Sequence, residues 1–196
     1  MAGQLVLRTL KHVWQSLEPL NLPMAVLGGL ALSVWDHVRA TKDVDLLIAA
    51  PKSGTAAILS AVVKAGFKPK FDPPVRLLGE MGVAQLMYEV PGTFVEVQVD
   101  LLFADSEYHL EALKRRLTLT VPGLDIPTSV LSCEDLIVHK LYAGRILDLS
   151  DVSELLKGNK SSIDLAYVKK WINHFSLRTQ FSECWIKAFD GEKPPF

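Results

Sequence analysis

The chain has 196 residues, 49% of them apolar, and a formal net charge of −1. That is enough for one domain, with or without an appended helical part, and for a core that needs no disulfides or metal. The balanced charge argues against a broad basic face for nucleic acid, leaving local clusters such as Lys114-Arg115-Arg116, and no DNA partner is expected; Cys133 and Cys184 are too few for a disulfide framework and fit a reducing cytoplasm.

Leu5 to Leu17 has helical spacing, with Leu7, Leu10, Val13, Trp14 and Leu17 on one side. The stretch from Pro19 to Trp35 is uncharged, but it contains prolines and glycines and is shorter than the roughly 20 apolar residues a membrane helix needs. It reads instead as a strand over 24–27, the pair Gly28-Gly29, and a helix over 30–38. A strand over 44–49 and a helix over 55–64 follow. Strands are then expected over 75–78, 84–90 and 94–103, joined by turns at Met81-Gly82 and Pro91-Gly92 and therefore antiparallel. A helix over 106–116 and a strand over 117–121 close this section, and beyond Pro127 the pattern is helical almost to the end. The fold class is thus α/β (α+β): a mixed sheet flanked by helices over residues 1–127, and a helical region over 128–196 packed on that core.

Two aspartates interrupt this apolar pattern. In a strand alternate residues share a face, so Val44, Leu46 and Ile48 point one way and Asp43 and Asp45 the other. Two carboxylates on one face repel, which raises one pKa unless a cation intervenes, and hard divalent cations prefer such oxygens. In Phe94–Phe103, "FVEVQVDLLF", Val95, Val97, Val99 and Leu101 form one face, and Glu96, Gln98 and Asp100 the other. If the two strands are neighbours, Asp43, Asp45 and Asp100 converge into a site able to hold two metals. Gly28-Gly29, between strand and helix, is either a tight turn or a place where phosphate approaches free backbone N–H groups.

The order of these features resembles the nucleotidyltransferase superfamily, of DNA polymerase beta-like fold. Its pattern is a hydrophobic residue and a glycine pair, about a dozen residues, then Asp-x-Asp among apolar residues. Here thirteen residues separate Gly29 from Asp43. Arg39-x-Thr41-x-Asp43-x-Asp45 resembles the branch of AbiEii-type toxins and minimal nucleotidyltransferases, and "EDLIVHKLYAGRILDLSDVSELL" is similar to that branch's C-terminal motif, through Lys140, Arg145, Asp148 and Asp151. The branch often has Ser or Thr after the glycine pair; this chain has Leu30. The stretch "PKSGTAA", residues 51–57, lacks the ordered letters of a P-loop.

The resemblance implies transfer of a nucleoside monophosphate from a nucleoside triphosphate to an acceptor hydroxyl. Asp43, Asp45 and Asp100 would be catalytic and hold two Mg²⁺ (or Mn²⁺) ions. Gly28, Gly29 and Lys140 would bind the nucleotide, with Arg39, Thr41, Arg145, Asp148 and Asp151 in support. RNA, notably a tRNA 3′ end, a protein, or a small molecule such as an aminoglycoside would be the acceptor, in a toxin–antitoxin or phage-defence setting with an antitoxin partner. The alternative is a catalytically weak nucleotidyltransferase fold serving as a nucleotide-binding or antitoxin-like module. Ser132 and Asp135 make a capping-box start for the helix that carries Lys140. An ion-pair network is an equal reading for Arg145, Asp148 and Asp151, and His139 stays outside the catalytic set.

Overall fold

The computed structural model of the chain describes residues 2–50, 54–79 and 81–196; the start of the P-loop-like stretch, 51–53, lies outside them. Helix α1 (Ala2–Leu17) leads through a 3₁₀ turn to strand β1 (Met24–Leu27), α2 (Gly28–Leu32), β2 (Asp43–Ala49) and α3 (Thr55–Lys64). The strands β3 (Lys68–Pro69), β4 (Val75–Leu78), β5 (Met81–Glu89) and β6 (Glu96–Ala104) follow. Then come α4 (Glu107–Arg115), β7 (Leu117–Leu119), β8 (Thr128–Val130), α5 (Cys133–Ala143), α6 (Ile146–Asn159), α7 (Leu165–His174) and α8 (Arg178–Ala188). Among the described residues no helix is long and apolar enough to cross a membrane.

One mixed sheet of eight strands runs in the order β3-β5-β6-β2-β1-β8-β7, with β4 on the free side of β5. As expected, β4, β5 and β6 are antiparallel neighbours. β2 lies antiparallel to β1 and parallel to β6. The apolar residues of β2 and β6 explain their central places: Val44, Leu46, Ile48, Val97, Val99, Leu101 and Phe103 are all buried. Each contributes roughly 1.5–3 kcal/mol of burial. Helix α1 packs on α3, β2 and β6, while α5 packs on α6 and α7, and α6 on α8.

Several expectations are corrected. The second helix begins on Gly28, ends at Leu32 and continues only as a 3₁₀ turn to Trp35, because Asp36 takes a left-handed conformation; Val38 is exposed. Met81 and Gly82 belong to β5 rather than to a turn. Phe94 and Val95 precede β6 and are exposed, so the apolar face of that strand begins at Val97. The stretch beyond residue 127 opens with a strand, β8, which pairs parallel with β1 inside the sheet. The helical stretch that carries Lys140, Asp148 and Asp151 is two helices rather than one. Gly144, left-handed at φ 66°, caps α5 by donating its N–H to the Lys140 carbonyl, and Arg145 begins α6.

Candidate active site

The register between β2 and β6 assembles the acids. Asp45 lies directly beside Asp100, and Asp43 beside Gln98. Adjacent strands are about 4.8 Å apart, so the three carboxylates share one patch of one sheet face. Asp43 accepts a hydrogen bond from the Thr41 hydroxyl at 2.7 Å. Asp100 accepts from Gln98 Nε2 at 2.8 Å and from Gln85 Nε2 at 3.2 Å, the latter directly across from it on β5.

Electrostatics make Asp45 the unusual member. Burial first, then Asp43 and Asp100, push its carboxyl from 3.8 to about 7, against the opposing fields of Lys140 and Arg145. Burial also raises Asp100, against its glutamine hydrogen bonds. Among the described residues no three acidic, histidine or cysteine side chains form a ready-made metal cage. Asp43 is instead turned to Thr41, and Asp100 to the two amides. The donor set nevertheless fits a hard divalent cation: three carboxylates, one of them held partly protonated by burial and its like-charged neighbours.

The glycine pair has a reason in this chain's own packing. Gly28 has φ +65°, and a Cβ there would lie 1.9 Å from Asp45 Oδ2. A Cβ on Gly29 would lie 2.6 Å from Thr41 Oγ1 and 3.5 Å from Arg39 Nη1. Only bare backbone lets the acid strand and the Arg39–Thr41 loop close over the turn. Leu30 is buried in the core, so the turn has no hydroxyl at that place.

The C-terminal motif forms a second, buried cluster. Lys140 Nζ, 7% exposed as a side chain, donates to Asp151 Oδ2 at 2.6 Å and Asp148 Oδ1 at 3.2 Å. Asp151 also accepts from Arg39 Nε at 2.9 Å and Nη2 at 3.0 Å, and lies 2.9 Å from His37 Nε2. Asp148 accepts two hydrogen bonds from Arg145. Burial pushes both aspartates up, but the bonds from Arg39, Lys140 and Arg145 outweigh it and hold their pKa values below the ordinary range. Lys140 therefore joins the two carboxylates of α6. Arg145, with 78% of its side chain exposed, faces a cleft of about 710 Å³ that Asp45 and Asp100 also line.

All the residues singled out from the sequence thus fall into two adjoining clusters, bridged by Arg39. Gln85 and His37 were missed. Gln85 had a signal, a lone polar residue in the apolar run "VAQLMY", whereas nothing in the sequence marks His37.

Comparison with known proteins shows the fold and the family. The family model described as "Nucleotidyl transferase AbiEii toxin, Type IV TA system" matches residues 9–190. No curated protein matches the chain. Among solved structures, the antibiotic-resistance factor ANT(2'')-Ia is similar at TM-score 0.56 and 17% identity, over 91% of this chain and 95% of that one. A putative nucleotidyltransferase from H. pylori is similar at TM-score 0.53 and 16% identity, over 94% and 81%. An antigenic nucleotidyltransferase-like protein from Paracoccidioides brasiliensis matches at TM-score 0.50 and 21% identity, over 96% and 94%. These likenesses establish the fold, and the family match over nearly the whole chain goes further: this protein belongs to the AbiEii nucleotidyl transferase toxin family.

Proposed function

We propose that the chain transfers a nucleoside monophosphate from a nucleoside triphosphate to an acceptor hydroxyl, on RNA or protein, releasing pyrophosphate. One observation carries this reading: Asp100 stands in register beside Asp45, at the foot of a glycine turn that Asp45 itself overlies. Asp43, Asp45 and Asp100 would hold two Mg²⁺ ions, or Mn²⁺ in their place. When bound, the ions supply charge neutralisation on the transferred phosphate and on the attacking and leaving oxygens.

The chain's own residues do the rest. The N–H groups of the Gly28-Gly29 turn grip phosphate; α2 has five residues, so these donors matter more than a helix dipole. Arg145, exposed in the cleft, reaches the triphosphate directly. Lys140 acts behind it, fixing α5 to α6 through Asp148 and Asp151. Asp100, made more basic by burial, takes the acceptor hydroxyl's proton. The hydroxyl oxygen bonds to the α-phosphorus as the bond to the pyrophosphate oxygen breaks. A cytoplasmic toxin with an antitoxin partner fits the family, and the two buried free cysteines fit a reducing compartment.

The test is transfer of label from each of the four α-³²P nucleoside triphosphates to cellular RNA and protein, with magnesium or manganese. Metal-dependent label, lost in the Asp43→Ala/Asp45→Ala double variant, is expected. Label that persists in the variant would overturn the role of Asp43 and Asp45, and none from a folded parent in either pool argues for the nucleotide-binding module instead.

A further inference from the structure

Asp100 is held in a different way from the aspartates of α6. Asp148 and Asp151 accept from lysine and arginine, whereas the hydrogen bonds to Asp100 come from two neutral amides, of Gln98 and Gln85. A cation bonded at that place would neutralise the acid. An amide orients the carboxylate and leaves its charge in place for a metal.

The direction of the Gln98 amide is fixed from behind. Lys70 Nζ, which can only donate, lies 3.1 Å from Gln98 Oε1, so Gln98 turns its Nε2 to Asp100 Oδ1 at 2.8 Å. Lys70 is itself tied to the sheet, its backbone N–H donating to the Gln85 carbonyl at 2.8 Å. Gln85 stands opposite Asp100 on β5, on the side away from Asp45. Its Nε2 is shared between Asp100 Oδ2 at 3.2 Å and Oδ1 at 3.3 Å.

These bonds make the two oxygens of Asp100 unequal. A carboxylate has about four lone-pair positions, two on each oxygen. Oδ1 receives a donor from each amide, while Oδ2 receives only one arm of the long, shared Gln85 bond. Oδ1 is therefore closed. Oδ2 keeps room for an ion and, where the Gln85 bond yields, for the acceptor's proton. The difference between one oxygen and two matters for hard cations. Mg²⁺ demands a near-ideal octahedron, whereas Ca²⁺ takes more oxygens in a flexible shell and accepts both oxygens of one carboxylate.

We propose that Gln85 and Gln98 are positioning residues that make the acid patch select magnesium over calcium, by restricting Asp100 to ligation through one oxygen. This rests on the reading of Asp43, Asp45 and Asp100 as metal ligands, and names what decides which ion they take. Lys70 acts one step further back, by fixing which end of the Gln98 amide faces the acid.

The test is binding of the metal alone: Mn²⁺ titrated under electron paramagnetic resonance, then displaced by Mg²⁺ or by Ca²⁺. It compares the parent with Gln85→Met, Gln98→Met and Lys70→Ala. Methionine keeps the length of glutamine and removes its donor; Lys70 is exposed, so its replacement leaves the core untouched. Each methionine variant should shift the ratio of the Ca²⁺ and Mg²⁺ dissociation constants roughly tenfold towards calcium. Lys70→Ala should shift it in the same direction by less. A merely structural role would weaken both ions alike and leave the ratio where it was. A ratio unmoved in both methionine variants, with the parent binding metal, overturns the amide clamp and leaves the metal site standing. A folded parent that binds none of the three ions sinks the metal reading, and the clamp with it.

Discussion

The acid patch on β2 and β6 and the cluster between α5 and α6 have similar ingredients and opposite electrostatics. In the second, Asp148 and Asp151 are matched by Lys140, Arg39 and Arg145, and both are held below the usual carboxylate range. In the first, three aspartates share a face, and Asp45 rises to about 7. A buried carboxylate surrounded by hydrogen-bonded cations supports structure, and removing one partner leaves the others uncompensated. A group of half-buried carboxylates without enough cations is a standing cost that a ligand can relieve. The difference separates the part of the motif that holds the protein together from the part to which we assign the chemistry.

The comparison breaks most sharply at Asp45. Asp45→Asn should cut transfer at least roughly 1000-fold, about 4 kcal/mol of barrier, without destabilising the fold. Stability should in fact rise, and the pH dependence gives the sign. An acid whose folded pKa is raised from 3.8 to about 7 leaves stability intact below the lower value and reduces it as pH rises towards the higher one. The melting advantage of Asp45→Asn should therefore grow from about pH 4 to about pH 7 and then level off, as thermal denaturation across pH will show. Lys140→Met should do the reverse: it removes the buried cation shared by two buried carboxylates, leaving Asp148 to Arg145 and Asp151 to Arg39 and His37, and should cost about 3 kcal/mol in denaturant unfolding. Gly28→Ala tests the seam between glycine turn and acid strand. The left-handed backbone and the clash with Asp45 should together cost about 2–3 kcal/mol and depress transfer as well. Arg145→Ala should matter least to the fold, under about 1 kcal/mol because the side chain is exposed, with its effect concentrated in the KM for the triphosphate.

Legibility in the sequence followed the same divide. The acid patch could be read because period-two alternation assigns each residue of "DVDLLI" and "VEVQVDLLF" to a face with no knowledge of the rest of the chain. That the two strands are neighbours is a matter of topology, and only the resemblance suggested it. The bonds of Lys140 were hidden, because a helix drawn straight through Gly144 puts Asp148 and Asp151 along its own side, whereas the chain bends there and brings them back. Strand β8 is three residues long and joined to β1 through the single register pair Val26 and Val130, too short for any periodicity to declare it. The start of the second helix was placed two residues late, at an end where Gly28 is still left-handed at φ +65° and the close approach of Asp45 leaves no room for a side chain.

The parallel pairing of β2 with β6 runs through seven residue pairs, from Asp43 with Gln98 to Ala49 with Ala104. It makes the site depend on parity. Residues inserted or deleted in the loops between the two strands, outside α3 and β3 to β5, change only how the chain travels from one to the other, and drift there can be neutral. A single residue inserted inside β6 ahead of Asp100 would turn every later side chain over, presenting an aliphatic to the nucleotide and driving the carboxylate into the core. Lineages carrying this fold are thus free to vary their loops at will, while the count of residues within these two strands is open to change only in steps of two.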